Sequence, residues 1–247
     1  MLNGLWKLTW VEAKVFMREP MGFVITLAMP VILFVLLGRS LSFGELESGS
    51  PVEIPFNMPI LFALIIALQA VVSLVVIISI YREGGILKRL RATPLSPATI
   101  LSAHVFIKLA FTAVSLGLLV LAGRQFFPGA MDVNLPSFMA ALLLSTLSVL
   151  SLGFVIASLV PTSRFARPIV AVFLYPMIGL SGLFFPIEQL PSPLQIVAWA
   201  LPTTHAVALM QGIWDGSGWG AQWGSVVGLI LVFGVCVGIS TKVFRWE

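Results

Sequence analysis

The chain has 247 residues, of which 59% are hydrophobic and 10% are charged, and its formal net charge is +4. A soluble domain carries about 25% charged and about 45–50% apolar residues, so a chain this poor in charge cannot cover a water-exposed surface. The composition therefore excludes soluble enzymes and soluble binding modules, and it predicts a protein embedded in a lipid bilayer.

An amphipathic helix is the first element that the sequence predicts, over residues 2–19. Such a helix lies at the membrane surface, with its apolar face in the acyl boundary and its basic residues near anionic headgroups. It is either a simple anchor or a surface that also contacts a cytoplasmic partner, and the sequence leaves both open. The apolar stripe contains Leu2, Trp6, Ala13 and Met17, and the basic residues beside it are Lys7, Lys14 and Arg18.

Six apolar segments follow, and each is near the length of about 20 residues that a membrane-spanning helix needs. They are continuously apolar rather than alternating, which favours helices over a membrane β-barrel. The first has a longer apolar core than a signal peptide and no cleavage pattern, so we expect it to be retained. The sequence thus predicts an all-α, polytopic membrane protein with a single transmembrane domain over residues 1–247. Its predicted spans are 22–41, 58–80, 98–122, 137–160, 168–185 and 223–243.

The placement of charge predicts the orientation of the chain. If six spans alternate, the basic connecting segments all fall on one side, whereas the opposite side is mostly acidic. Basic loops stay in the cytoplasm, so both termini are expected there. The positive net charge is then a topology signal and does not indicate nucleic-acid binding. The basic residues of the connections are Arg82, Lys88, Arg89, Arg91, Arg164 and Arg167.

The most charged stretch of the chain, YREGGILKRLRATPLSP at residues 81–97, separates the second and third spans. Gly84 and Gly85 allow a turn out of the second span, and Ser96–Pro97 is typical of a helix start. Between them, apolar and basic residues alternate with helical spacing. The stretch predicts a short, stiff helix over residues 83–91, although a plain basic loop fits the same charges.

Prolines divide the apolar segment after the fifth span into pieces that are too short to cross a membrane. This segment, 186–212, is expected to form a pair of re-entrant or interfacial helices on the outer side. Its prolines are Pro186, Pro191, Pro193 and Pro202.

Lys108 is the only full charge at clear membrane depth, and intramembrane ionisable residues are candidates for function. With Gln69 and Ser73 of the second span it forms a possible substrate path, although snorkelling of the lysine and hydrogen bonding between helices are alternatives. His104 and His205 have no carboxylate or cysteine at ligand spacing, so we expect neither catalysis nor a metal site. Small residues four apart, such as Gly224 and Gly228, suit packing within one subunit or between two.

Two stretches together resemble the permease subunits of type-2 ATP-binding-cassette (ABC) exporters. They are YREGGILKRLRATPLSPATILSAH and SGLFFPIEQLPSPLQIVAWALPTTHAV. The family pattern has R/Y-E-x-G-T-L-x-R-L-x-x-T-P-L-S after the second span and F-P-x-x-x-L-P after the fifth. This chain departs from it at Ile86, where many members have threonine.

The resemblance implies roles for several segments. Residues 83–91 would be a coupling helix that docks on a separate ATPase, and residues 2–19 would be an interface helix beside it. The segment 186–212 would cap the export path. The implied coupling residues are Arg82, Glu83, Gly84, Gly85, Leu87, Lys88, Arg89 and Leu90, those of the interface helix are Lys7, Lys14 and Arg18, and those of the outer gate are Phe185, Pro186, Leu190, Pro191 and Pro202.

The implied function is ATP-driven export of an amphipathic or lipid-linked substrate, such as a drug, lipid or polysaccharide, across a bacterial or archaeal cytoplasmic (inner) membrane. The chain has no G-x-x-x-x-G-K-[ST] loop, so ATP and Mg²⁺ would bind two copies of a partner ATPase. A second permease subunit, forming a homodimer, would complete the path among membrane lipids. The alternatives are a stand-alone secondary transporter or channel, which often shows intramembrane carboxylates or an inverted repeat, and a non-transporting membrane protein.

Overall fold

Regular structure in the described part of the chain is entirely helical, which confirms the all-α prediction for those residues. A computed structural model describes residues 9–10, 13–14, 18, 24, 27–36, 58–85, 97–126, 134–160, 162–184 and 186–243. The elements are α1 (Leu27–Leu36), α2 (Met58–Glu83), α3 (Pro97–Phe126), α4 (Leu135–Leu159), α5 (Ser163–Gly179), a 3₁₀ turn (Ile187–Gln189), α6 (Ser192–Ala200), α7 (Pro202–Trp214), α8 (Gly218–Ala221) and α9 (Trp223–Val243).

Four of these helices, α2, α3, α4 and α9, are long and apolar enough to cross a bilayer. They correspond to the second, third, fourth and sixth predicted spans. Helices α6 and α7 would make a fifth only if the pair, which is bent by 78°, were counted as one span. The six predicted spans are therefore confirmed in part. Of the first predicted span, 22–41, the structure describes residue 24 and the short helix α1.

The fifth predicted span differs from the prediction in position and length. Its helix, α5, covers Ser163–Gly179 and has 17 residues, whereas the prediction was 168–185. The helix ends early because the chain turns at Ser181–Phe184, where Gly182 has a φ of +81°. A residue with positive φ cannot continue a right-handed helix. At the other end, α5 begins at Ser163, five residues before Pro168, where the predicted span began.

Helix α4 lies at the centre of the bundle and packs against α2, α7 and α9. Its approach to α2 is close, since a Cβ at Gly153 would lie 3.0 Å from Cγ1 of Val71. Gly153 therefore makes a packing contact within the subunit. By contrast, only 17% of the span in α9 is buried, so most of this helix presents apolar side chains outward, as a bilayer permits.

The bundle has two ends that position the candidate sites. Helices α2 and α4 finish, and α3 and α5 begin, at one end, which we call the Glu83 end. There the rings of Tyr81 and His104 meet with centroids 5.4 Å apart. At the opposite end, which we call the Trp214 end, Phe138 and Trp214 make a similar edge-on contact with centroids 5.5 Å apart.

Candidate functional site

The last two side chains of α2 bind the connection between α4 and α5. The guanidinium of Arg82 donates a hydrogen bond to the carbonyl of Val160, the residue that follows α4. The carboxylate of Glu83 accepts a hydrogen bond from the backbone N–H of Ser163, with Oε2 and N 2.9 Å apart. We call these four residues the Glu83 clasp. The clasp attaches the root of the predicted coupling segment to the start of α5.

Glu83 supplies the N-terminal cap that the local sequence of α5 does not provide. The first N–H groups of a helix have no partner inside the helix, and a side chain at the N-cap usually satisfies one of them. The N-cap residue of α5, Thr162, makes no such bond with its side chain. Glu83 takes that role from another helix, and its negative charge is favourable at the positive end of the α5 dipole.

A glycine turn follows the clasp directly, as the sequence predicted. Helix α2 ends at Glu83, the N–H of Gly84 still bonds the carbonyl of Ile80, and Gly85 adopts a φ of +65°. Left-handed glycine at this position is a common way to end a helix. Arg82 and Glu83 thus belong to the spanning helix itself and precede the turn. The remaining predicted coupling residues, Leu87, Lys88, Arg89 and Leu90, lie outside the described residues.

The opposite end of α5 is bound by the segment that the sequence assigned to an outer gate. Thr203, in the first turn of α7, donates from Oγ1 to the carbonyl of Met177 over 2.9 Å. Its neighbour Thr204 reaches the carbonyl of Leu180 over 3.4 Å. Both threonines are buried. They satisfy carbonyls near the end of α5 that a helix leaves without partners.

The predicted outer-gate residues all stand at helix boundaries where they are described. Pro186 and Pro191 precede the 3₁₀ turn and α6, Leu190 follows the 3₁₀ turn, and Pro202 is the first residue of α7. Proline is suited to these positions because it has no N–H and a fixed φ. Phe185 lies outside the described residues.

His205 closes the contact between the bent pair and α9. Its Nε2 lies 2.9 Å from the carbonyl oxygen of Trp199. A Cβ at Gly228 would lie 2.7 Å from that same nitrogen, so any larger residue there would displace the imidazole. Gly228 therefore packs within the subunit, whereas Gly224, one turn away, has open space around it.

Lys108, Gln69 and Ser73, which the sequence grouped as a possible path, do meet in one cleft between α2 and α3. The Lys108 ammonium donates to Oγ of Ser73. Thr112 and Ser115 of α3 also line this cleft.

A second, larger cavity of about 430 Å³ lies between α3, α4 and α9. Its walls are apolar apart from hydroxyl groups. Because its lining is apolar and carries no charged residue, the cavity offers space for hydrocarbon and has no group that would orient a ligand by charge. Its residues include Phe106, Phe154 and Phe233, with Ser102, Ser151 and Ser240.

The predicted interface helix is described only in short pieces. Residues 9–10 and 13–14 are helical, and the N–H of Arg18 bonds the carbonyl of Lys14 over 3.1 Å. Lys7 lies outside the described residues. Among the described residues, no group of three or more histidine, cysteine, aspartate or glutamate side chains is arranged to hold a metal ion.

Sequence reasoning did not identify Val160 and Ser163, which bind Arg82 and Glu83. It also did not identify Thr203 and Thr204, which bind carbonyls near the end of α5. Val160 and Ser163 contribute through backbone atoms, which leave no signal in a side-chain pattern. Thr203 and Thr204 did leave one, because two adjacent hydroxyls stand at the start of an apolar piece directly after Pro202.

Comparison with known proteins agrees with this architecture. The family model described as "ABC-2 type transporter" matches residues 3–214. The chain is 28% identical over 166 residues to the "Inner membrane transport permease YhhJ" of Escherichia coli K12, which is 66% of this chain and 44% of that protein. It is 26% identical over 159 residues to the "Probable multidrug ABC transporter permease YbhR" of the same strain, which is 64% and 43%. The matched part is less than half the length of these curated relatives.

Proposed function

The chain belongs to the ABC-2 type transporter family, and on that premise we propose that it is the membrane-spanning permease subunit of an ATP-driven exporter. Two copies of a separate ATP-binding subunit would hydrolyse ATP with Mg²⁺, and a second copy of this permease would complete the path. The substrate would be amphipathic or lipid-linked. The membrane would be the inner membrane, as for the relative named an inner membrane transport permease, with both termini in the cytoplasm.

The observation that carries this proposal is the attachment of α5 at both of its ends. The Glu83 clasp binds its first residue, and Thr203 and Thr204 bind carbonyls near its last. Helix α5 thus connects the root of the coupling segment to the bent pair α6–α7. A displacement of residues 83–91 by the ATPase would move the start of α5, and the threonine contacts would carry the movement to the outer segment.

In this proposal, the residues before and after the glycine turn of the coupling segment have different roles. Arg82 and Glu83 face the α4–α5 connection, so they would transmit motion within the permease. Leu87, Lys88, Arg89 and Leu90 would make the contact with the ATPase. Gly84 and Gly85 would set the angle between the two halves, because a glycine with positive φ fixes a sharp turn at little steric cost.

Two further features support export of an amphipathic molecule over conduction of an ion. The cavity of about 430 Å³ between α3, α4 and α9 is lined mainly by apolar side chains. The predicted spans contain no aspartate or glutamate, whereas secondary transporters often place such residues among their coupling-ion sites.

Co-purification of the ATPase tests the proposal. We expect an ATP-binding subunit to co-purify with the full chain at equal stoichiometry. The double reversal Lys88→Glu with Arg89→Glu should abolish that association and leave membrane insertion intact. Arg124→Glu, which reverses a charge at the far end of α3, is the matched control and should retain the subunit. Undiminished association of the double variant would contradict the assignment of the coupling segment.

A further inference from the structure

Three helices form the walls of a cavity within a single copy of the chain. Helices α3 and α9 both pack on α4, and the space between the three has a volume of about 430 Å³. Sites for small molecules in proteins typically have volumes of about 300–1,000 Å³. The cavity between α3, α4 and α9 is therefore large enough to hold a ligand, and the residues of one copy suffice to form it.

The cavity is elongated along the three helices. Its lining residues lie within 102–109 of α3, 147–154 of α4 and 233–240 of α9. A helical stretch of this length rises about 10 Å along its axis. Since the hydrocarbon chains of a bilayer also run roughly along membrane-spanning helices, a chain-shaped molecule could lie in the cavity in the direction that it has in the lipid.

One end of the cavity is polar and the other is apolar. Helix α3 begins at the Glu83 end, so Ser102 is its lining residue nearest that end. Helix α9 begins at the Trp214 end, where Gln222, the residue before it, packs on α7. Ser240, the last lining residue of α9, therefore lies toward the Glu83 end as well. The opposite end of the cavity is lined by Leu109, Leu147 and Phe233.

The interior between these ends is apolar and can be reached from the side of the bundle. Each of the three helices contributes one phenylalanine to it. A third hydroxyl, that of Ser151, already donates to the carbonyl of Ser148 over 2.6 Å. Phe106 of α3 is 54% exposed and Val237 of α9 is 38% exposed, so a molecule could enter between these two helices. The phenylalanines are Phe106, Phe154 and Phe233.

Charge decides which head group suits the polar end. None of the described residues that line the cavity is charged, and an ion in apolar surroundings is costly without a partner of opposite charge. A hydroxyl group can both donate and accept a hydrogen bond. Ser102 and Ser240 therefore suit an alcohol, an ester or an amide better than an ammonium or a phosphate group.

We propose that this cavity binds a neutral amphiphile, that is a molecule with a hydrocarbon chain and an uncharged hydroxyl, ester or amide head. The head would lie at Ser102 and Ser240, and the chain would extend toward Phe233. The Glu83 end faces the cytoplasm in the proposed topology, so the molecule would enter from the cytoplasmic leaflet. This inference rests on the proposed function, because it assigns the exported amphiphile an uncharged head.

Photocrosslinking to the full chain tests the proposal without the ATPase, so its outcome does not depend on whether the ATPase associates. The permease is placed in phosphatidylcholine nanodiscs with 1-dodecanol that carries a diazirine on its chain, and crosslinked residues are mapped by mass spectrometry. We expect crosslinks within 102–109, 147–154 and 233–240. At saturation, about a tenfold excess of plain 1-dodecanol should lower them by about tenfold. Dodecyltrimethylammonium and dodecyl phosphate, which have the same chain and a charged head, should lower them by less than about twofold.

Variants then assign the crosslinks to the cavity. Val237→Trp places an indole in the cavity and should lower crosslinking several-fold. Val235→Trp is the matched control, because Val235 is 59% exposed on the same helix and does not line the cavity, and it should label normally. Ser102→Ala with Ser240→Ala should lower crosslinking by about fivefold, as for the loss of a hydrogen bond. Ser225→Ala removes a hydroxyl from α9 outside the cavity and should have no effect.

A second arm adds dioleoylglycerol to the nanodiscs, because a neutral lipid of the membrane has the same chemistry as the proposed substrate. Weaker crosslinking there would identify such a lipid as an occupant, and equal crosslinking would favour a separate substrate; both results support a site for a neutral amphiphile.

Two results would overturn the proposal: equal crosslinking in Val237→Trp and Val235→Trp, or competition by dodecyltrimethylammonium as strong as that by 1-dodecanol. If Val237→Trp is not monodisperse, the crosslinked positions in the unmodified chain decide. Labelling of Ile230 and Leu231, which are exposed on α9 outside the cavity, as strong as that of residues 233–240 would then overturn the proposal. Labelling concentrated in the three lining stretches would support it.

Discussion

Glu83, the last residue of α2, accepts a hydrogen bond from the N–H of Ser163, the first residue of α5, over 2.9 Å. The two residues are 80 positions apart in the chain. This bond makes the end of one helix the cap of another, so separating the two helices at the Glu83 end would replace the cap of the Ser163 N–H by water.

The first prediction concerns this bond. Glu83→Ala should leave the start of α5 without its acceptor, so that amide hydrogen exchange in residues 163–166 becomes several-fold faster. Because the clasp would carry motion to α5, the amount of substrate moved per ATP hydrolysed should also fall several-fold. Glu83→Gln, which keeps an acceptor oxygen and loses the charge, should give an intermediate result.

Glu188→Ala is the matched control, since this exposed glutamate lies in the 3₁₀ turn at a distance from the clasp in the chain. Its exchange pattern at residues 163–166 should equal that of the unmodified chain. Unchanged exchange in Glu83→Ala would show that the clasp does not stabilise α5.

The second prediction concerns the turn after α2. Gly85 has a φ of +65°, and no atom lies within 4 Å of a Cβ added there. Substitution by alanine therefore meets no steric contact but strains the backbone by about 1–2 kcal/mol. Gly85→Ala should lower the thermal unfolding midpoint in detergent and weaken co-purification of the ATPase, because the turn aims the coupling segment.

Gly85→Asn should be better tolerated, since asparagine adopts left-handed backbone more readily than alanine. Gly117→Ala provides the helical control: it too has open space around the added Cβ, but it lies inside α3 without positive φ. A midpoint for Gly85→Ala as high as that for Gly117→Ala would refute the claim of strain.

The third prediction concerns the far end of α5. Thr203→Val keeps the size of the side chain and removes the donor to Met177, whose carbonyl would lose this partner in a buried site. We expect a loss of stability of about 1 kcal/mol, together with reduced transport at unchanged ATPase association. Thr203→Ser retains the hydroxyl and should keep both stability and transport closer to the unmodified chain.

Transport assays distinguish a mechanical role of Thr203 from a purely structural one. If the threonine contact carries motion, transport per ATP should fall in Thr203→Val even at temperatures well below its unfolding midpoint. A variant that is less stable but fully coupled would limit Thr203 to a structural role.

The fourth prediction concerns the crossing of α7 and α9. Gly228→Ala would bring a methyl group to 2.7 Å from Nε2 of His205, so the imidazole must move away from the Trp199 carbonyl. We expect destabilisation of about 1–3 kcal/mol, as for other overpacked contacts. Gly224→Ala, on the same helix but with open space around it, should be nearly neutral.

A double-mutant cycle checks the cause. In a His205→Ala background the methyl group has room, so Gly228→Ala should then be close to neutral. Equal destabilisation in both backgrounds would mean that the glycine is required for another reason.

The sequence was sufficient for the features that depend on local pattern. Continuous apolar runs predicted the long helices α2, α3, α4 and α9 to within a few residues, and Pro97 lies in α3 as the first of its described residues. Helical spacing brought Gln69 and Ser73 to one face, and the mid-span lysine of α3 joined them. In each case a single helix, or the polarity of a single residue, carried the signal.

The features that failed or were missed depend on contacts between distant parts of the chain. The apolar pattern placed the fifth span too late, because the start of α5 is polar and is completed by Glu83 from another helix. The partners Val160 and Ser163 act through backbone groups, which have no residue-specific pattern. Contacts of this kind between two helices cannot be inferred from the sequence of either helix alone.

The bend of 78° between α6 and α7 limits how the Trp214 end can rearrange. Leu201 is extended, with a ψ of 136°, and Pro202 has no amide hydrogen with which to continue the α6 ladder. Helices α6 and α7 are thereby prevented from joining into one continuous straight helix. The outer segment at this end of the bundle therefore keeps its bend of 78° as part of its covalent design.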